Sequence, residues 1–332
     1  MTETGADGPG ARRKSWLKRS APYVLFCAII IILPFFVSAY IQSMVIKILI
    51  FGIFALSLNI LWGYTGLFSL GHAAYFGVAG YTSGILLVNL GIRNFWITAP
   101  AGVLMAVVFA AILAVPALRM SGAYFLMVTL AMGELIFSVA EKWRSVTHGG
   151  DGLVGISLPN LHLGFTMNNL YFYYLVFIFF IVCGFLIYRI VNSPFGDALQ
   201  GIRENEPRMR SLGYNTWLYK YMAFVMGGLF AGVAGVLFGH FAGIMAPGHI
   251  GIVTSTLVML MVILGGSSVI FGPVLGAAIV LILEHVASIY APERWPLILG
   301  AVFVMAVMFL RGGISLHLIK LWRELGRGST PG

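Results

Sequence analysis

Ten apolar runs, each about as long as a lipid bilayer is thick, follow one another along this chain with only short polar segments between them. A hydrocarbon core of about 30 Å takes about 20 helical residues to cross. On that ruler the runs are 21–41, 44–62, 67–90, 96–117, 120–140, 169–190, 218–242, 251–267, 272–290 and 294–311. Lipid offers no partner to a backbone N–H or C=O, so each run must satisfy its own backbone as a helix. The fold class expected is therefore an all-α polytopic membrane protein with about ten transmembrane helices (8–10), some of them broken by Gly. Composition agrees: of 332 residues, 9% are charged and 60% hydrophobic, against about 25% charged in a soluble domain. A soluble enzyme is excluded. The first run, which contains IIIILPFF, is long enough to span, and no small-residue cleavage site follows it, so it reads as a membrane helix rather than a signal peptide.

The placement of Lys and Arg orients these spans. With the N-terminus inside, fifteen of them fall in cytoplasmic segments and four (Arg93, Lys142, Arg144 and Arg294) outside, with Lys47 inside a span. Both ends then face the cytoplasm. The expected organisation is a basic N-terminal tail over 1–20, a transmembrane domain over 21–311 and a C-terminal tail over 312–332. Within the domain lie an outer loop, 141–168, and a cytoplasmic loop, 191–217. The net charge of +9 reads as topology rather than as a nucleic-acid footprint, because the basic residues lie between apolar runs. Cys27 and Cys183 both sit inside apolar runs, which suggests neither a disulfide framework nor a thiol–metal site.

The cytoplasmic loop carries NSPFGDALQGIRENEPRMRSLGYN over 192–215. Ser193 before Pro194 is a helix start, since Ser can cap free N–H groups and Pro lacks the donor that would be orphaned. Ala198, Leu199 and Ile202 then form an apolar stripe at helical spacing. Pro207 ends or kinks that helix, and a second stub with Met209 and Leu212 stops at Gly213, a plausible left-handed cap. Two readings stay open: a helix lying on the headgroups, or a docking element gripped by another protein through Leu199, Ile202 and Met209.

The run GYTGLFSLGHAAYFGVAGYTSGILL, 63–87, offers Gly77, Gly80 and Gly84 as a close-packing face. Its first part, 63–71, is too rich in Gly for a plain helix start and holds Thr65 and Ser69, with His72 next. A weaker echo, GGSSVIFGPVLGAAI, occupies 265–279. Interruptions in both halves point toward an internal repeat with a translocation path at its interface, close packing alone being the alternative. Ionisable groups within spans are costly. Glu134 is expected either to line a polar cavity or to make an interhelical hydrogen bond, Glu284 to lie near the outer interface, and His240 to be a packing residue. No His, Cys, Asp or Glu set has metal-ligand spacing, and no chain of acidic residues suits a proton-coupled carrier. The phosphate-binding pattern G-x-x-x-x-G-K-[ST] is absent, as is any Gly-Lys pair, so a transporter built on this chain needs a separate motor.

Taken together the chain resembles the LivM-type permeases of bacterial branched-chain amino acid ABC importers. The resemblance rests on GYTGLFSLGHAAYFGVAGYTSG (63–84), RMSGAYFLMVTLAMGEL (119–135), THGGDGLVGI (147–156), SPFGDALQGIRENEPRMRSLGYN (193–215) and Gly265-Gly266 through Gly272-Pro273. These occur in family order between residues 45 and 313. The resemblance implies a transporter subunit of the bacterial inner membrane, without cofactor, working by alternating access. Its partners would be a LivH-like second permease, two cytoplasmic P-loop ATPase subunits that hydrolyse the ATP, and a periplasmic solute-binding protein. The segment 193–213 matches the family's ATPase-contacting loop, which assigns coupling to Ser193, Gly196, Ala198, Leu199, Ile202, Glu204, Glu206, Met209, Leu212 and Gly213. Thr65, Ser69, His72 and Glu134 are the pathway candidates, being polar at membrane depth. Urea permeases usually carry Gln in place of His72 and lack the Thr-Leu-Ala-x-Gly-Glu pattern that ends at Glu134, which favours an amino-acid cargo. Urea, short-chain amides and small carboxylates remain the alternative cargoes, and an ion-coupled secondary carrier the alternative mechanism.

Overall fold

A computed structural model describes residues 33–161, 168–267 and 269–290, with isolated residues between 294 and 315. Ten α-helices of six residues or more organise the described chain: α1 (Ala39–Asn59), α2 (Ala73–Val88), α3 (Phe95–Ala117), α4 (Ala123–Lys142), α5 (Asn169–Val191), α6 (Pro194–Glu204), α7 (Glu206–Ser211), α8 (Thr216–Ala242), α9 (Ile252–Gly265) and α10 (Gly272–Tyr290). Seven segments among the described residues are long and apolar enough to cross a membrane, and α2 is apolar but shorter. The chain is a multi-pass membrane protein.

Beyond Lys47, helix α1 is apolar on nearly every side, and such a stretch belongs in the interior. From Leu49 to Asn59 it is buried without interruption, and α5, α8, α9 and α10 all pack on it. The tightest contacts lie elsewhere, among α2, α3 and α8. Association in lipid gains little from apolar burial and relies on close van der Waals approach through small residues. Gly102, Ala106, Ala110 and Ala114 recur every fourth residue on α3 and are all buried. Ala110 and Ala106 meet Gly228 and Gly232 of α8, where an added Cβ would lie 2.7 Å from Ala106 Cβ at position 232. Gly235 meets the Phe76 carbonyl of α2.

Most expected spans correspond to helices within a few residues, with three departures. The span expected over 67–90 is shorter, because 66–72 is irregular and α2 begins only at Ala73. The span expected over 21–41 lies outside the described residues except at its end, where Leu33–Phe35 form a 3₁₀ turn and Ala39 already starts α1. The span over 294–311 lies in large part outside them, and its described residues at 300–302 and 304–305 are helical. The fold is also not purely helical. Leu153–Val154 pairs antiparallel with Ile244–Met245, and the N–H groups of Gly155 and Ile156 both donate to Gly243 O at 3.1 Å. His240 Nδ1 donates to Ser157 O at 2.7 Å, so this histidine pins the loop to the end of α8. The loop thereby becomes a packed layer. The Gly77, Gly80 and Gly84 face of α2 receives Leu153 and Ile156 from this loop and Met245 and Ile250 from the segment after α8, rather than another helix alone.

A side chain at position 235 would therefore displace α2 from α8. Gly235→Val is expected to cost about 1–3 kcal/mol by overpacking and to lower the yield of monodisperse protein in fluorescence-detected size exclusion. Gly248→Ala, with no atom within 4 Å of the added Cβ, should leave the profile unchanged.

Candidate translocation and coupling site

The last turns of α1 widen into a π-helical segment, Ile60–Thr65, which closes on Gly66 at φ 73°. Single π turns concentrate at functional positions because they leave backbone groups without their usual partners. Three neighbouring elements supply those partners here. Thr129 Oγ1 of α4 accepts from Leu70 N at 3.3 Å, and Ser255 Oγ of α9 accepts from Ala73 N at 3.1 Å, capping α2 in place of a local side chain. From the other direction, Arg203 Nη1 of α6 donates to Gly63 O. That carbonyl belongs to the unpaired C-terminal turn of the helix, where a cation also meets the negative end of the helix dipole. The Arg203 stem runs over Gly66, where an added Cβ would sit 3.2 Å from its Cγ. Glycine is required twice at this position, by its left-handed backbone and by the stem above it.

The second Gly-rich stretch closes on the first. Helices α9 and α10 join through Gly266, at φ 93°, and an added Cβ at Gly63 would lie 2.9 Å from Ser267 O. The two interruptions thus meet at one end of the bundle, directly beside α6.

Thr65, Ser69 and His72 lie along the first interruption and are all buried. Thr65 Oγ1 donates to Leu61 O at 2.5 Å. His72 Nε2 bonds Ser57 Oγ of α1 at 2.8 Å, and its ring stacks on Phe54 with centroids 5.6 Å apart. Glu134 approaches the same segment from α4. Its neighbour Gly133 abuts Gly71, 3.0 Å from an added Cβ to the Gly71 Cα. Its own Oε1 accepts from Ile252 N at 3.3 Å, at the positive N-terminus of α9. The four sequence candidates are gathered around 63–73, the first three inside the packing and Glu134 as a half-exposed clasp between α4 and α9.

The loop between α5 and α8 is seated more firmly than its sequence suggests. Ala198, Leu199 and Ile202 are buried, the last two at 1% and 3% exposure, and their stripe faces this chain. An apolar stripe on a short helix is buried by whatever lies nearest, here the ends of α1, α5 and α8, which leaves these side chains little surface for contact with another protein. An added Cβ at Gly196 would collide with Val191 O, and Met209 packs on Gly201, so these two also serve internal packing. Ser193 does not cap α6. Its hydroxyl donates back to Ile190 O at 2.6 Å, and the break before α7 falls at Asn205, whose Oδ1 accepts from Arg208 N at 3.0 Å. Gly213, at φ 89°, follows α7. Glu206 turns inward as well, to Lys220 of α8, to Arg210 at 2.8 Å and to the Thr216 hydroxyl at 3.0 Å. What faces outward is Glu204, Arg208, Leu212 at 64% exposure and Tyr214.

Arg203 and Lys220 are the residues that sequence reasoning missed. Both were visible only as inside-facing positive charge, since Arg203 finds its partner 140 positions away. Among the described residues no three His, Cys, Asp or Glu side chains converge as a metal site.

Apolar helices crossing a bilayer, broken where they meet and braced by an amphipathic helix pair at one end, define a membrane permease. The chain belongs to the family of branched-chain amino acid transport system permease components, whose profile matches residues 40–310. It is 29% identical to the LivM high-affinity branched-chain amino acid transport permease of Escherichia coli, over 98% of this chain and 80% of that protein. A probable LivM permease of Methanocaldococcus jannaschii is 26% identical over 72% of this chain and 78% of that protein. The LivH permease of Escherichia coli is 25% identical over 80% of this chain and 90% of that protein. No solved structure matches the chain significantly.

Burial opposes ionisation of Glu206, but the bonds from Lys220, Arg210 and Thr216 outweigh it and hold the carboxyl below its ordinary range. A carboxylate depressed in the folded state stabilises above its ordinary pKa, and that contribution is lost as pH falls through the depressed one. Amide protection of 206–218 in hydrogen exchange should therefore drop in acid. Glu206→Gln should show about fivefold lower protection already at pH 7, with little further pH dependence.

Proposed function

We propose that this permease is one membrane subunit of an ATP-driven importer for branched-chain or related amino acids, paired with a LivH-like second permease. It is not itself an enzyme; ATP is hydrolysed by two separate cytoplasmic P-loop subunits, and an extracytoplasmic solute-binding protein delivers the cargo. In this reading the protein lies in a bacterial inner membrane with about ten spans, including 21–41 and 294–311, and the tails 1–20 and 312–332 face the cytoplasm. The two Gly interruptions are corresponding points of an internal repeat. The cargo class rests on the names of the relatives and on matches that cover 98% and 90% of this chain and 80% and 75% of two LivM permeases.

The observation that carries the mechanism is the bond from Arg203 to Gly63 O. It joins the loop that a motor would push to the break in α1, with no intervening element. The docking face is the outward one, Glu204, Arg208, Leu212, Gly213 and Tyr214, and the buried stripe of α6 acts as the seat that transmits force. Thr65, Ser69, His72 and Glu134 line the segment that shifts when the path opens.

Purification of the assembly from its native membrane should recover the second permease and the P-loop subunits; recovery of this chain alone would favour an ion-coupled carrier. Leu212→Asp should keep the permease folded and lose the ATPase. Leu199→Asp, which buries an unpaired charge at a cost of several kcal/mol, should instead lose the folded permease itself, even when it is expressed without partners.

Arg203→Ala should retain the ATPase in the complex while cargo uptake per ATP hydrolysed falls severalfold. Unchanged coupling would remove Arg203 from the transmission path.

A further inference from the structure

Two carboxylates lie deep in the membrane-spanning helices, and only one of them is matched by a charge. Glu284 Oε2 of α10 lies 3.3 Å from Lys47 Nζ of α1. Glu134 of α4 has no cationic partner among the described residues, and its hydrogen bond from Ile252 N occupies Oε1 alone. It stands about 16 Å of helix from Ala123 and about 12 Å from Lys142, the two ends of α4, and so at mid-membrane. An ionisable group at that depth faces protein or water, since lipid gives its oxygens no partner.

The helix that carries it has two unlike faces. Phe125, Thr129, Gly133, Ile136 and Ala140 form the buried one. Met127, Ala131, Glu134 and Ser138, spaced by four and three, lie on the side opposite, where Met127 is 62% exposed and Ala131 is exposed as well. One turn along α9 from Ile252, Thr256 is exposed too. The other open faces differ: α3 presents Leu104, Val108 and Ile112, and α5 presents Ile178, Val182 and Phe185. Aliphatic and aromatic carbon suits lipid tails, whereas a carboxylate, two hydroxyls and a small residue suit a packed helix interface.

We propose that the second permease packs on this α4–α9 face and that Glu134 accepts a hydrogen bond from a donor on it, so that the carboxylate selects a different chain over a second copy of this one. The inference rests on the importer reading and gives its permease pair a surface and a selecting residue. An ionised carboxylate accepts and has nothing to donate. Two copies meeting on this face through a two-fold axis would oppose Glu134 to Glu134, two anions at low dielectric with no proton between them. A related but different chain escapes that repulsion by offering an N–H or O–H at the same level. Ala131, a turn away, lets its backbone come close, and the flexible Met127 fills what gap remains.

A photo-cross-linking residue in place of Ala131, or of Val108 as the lipid-facing control, locates the partner in native membranes. Wild-type purification settles the importer reading on its own: if no second permease is recovered, that reading fails and the pairing face with it. With the second permease recovered, the expected result is its covalent adduct with this chain from position 131 and not from 108, identified by mass spectrometry. An adduct from 108, or none from 131, overturns the surface while leaving the importer intact. The selecting role is read with this chain expressed without the second permease. Glu134→Gln keeps an acceptor for Ile252 N and gains a donor, so its 131-linked homodimer should exceed that of the chain with Glu134 by about fivefold or more. Equal homodimer yields overturn the selection, because the carboxylate then keeps no second copy away.

Discussion

Backbone that leaves helical geometry inside a membrane has no water to turn to, so every freed N–H and C=O must be met by protein. The segment 63–73 is where this chain meets that demand. Thr129 bonds the Leu70 amide, Ser255 the Ala73 amide and Arg203 the Gly63 carbonyl, from three different elements. None of these partners is local. The interruption can persist only while α4, α6 and α9 stay in place, and a shift in any of them removes a bond that lipid cannot replace. Dependence of this kind makes an irregular segment responsive to distant movement instead of merely weak.

In the proposed mechanism the α6–α7 loop delivers such a shift. Its apolar stripe is spent on this chain, and Glu206 clamps its far end to Lys220 and Thr216 of α8. A push on the outward face therefore moves a seated body rather than bending a free loop. Arg203 extends from that body into the negative end of α1, where a cation is favoured by about 0.3–1 kcal/mol. For the proposed mechanism, a contact of this size is strong enough to register position and weak enough to be remade within a transport cycle.

How much of this was legible in the sequence depended on the range of the interaction. Span positions were readable because hydrophobic length is a local property, and the ends of α3, α5 and α10 fall within a residue of expectation. The interruption at 63–72 showed in its Gly content for the same reason. What the apolar stripe of α6 would face was not readable. Leu199 and Ile202 at helical spacing say that one side is buried, but not whether by this chain or by another. The Ala stripe of α3 was equally silent, since Ala is unremarkable in an apolar run until Gly228 and Gly232 come to lie opposite it. Lys47 and Glu284 each looked like an isolated anomaly, because their meaning lies in a pairing across 237 positions.

Helix α1 collects these features on a single axis. Lys47 stands near one end, Ser57 holds His72 part-way along, and Gly63 meets Arg203 at the other. Lys47 and Gly63 are separated by about 24 Å at 1.5 Å per residue. Between them the helix is enclosed by packed neighbours, and close-packed surroundings deform little. A displacement imposed at Gly63 therefore reaches Lys47 as movement of a rod, altering its distance to Glu284 on a separate helix. In the proposed mechanism the Arg203–Gly63 contact and the Lys47–Glu284 pair need no relay of side chains between them, because α1 is itself the connection.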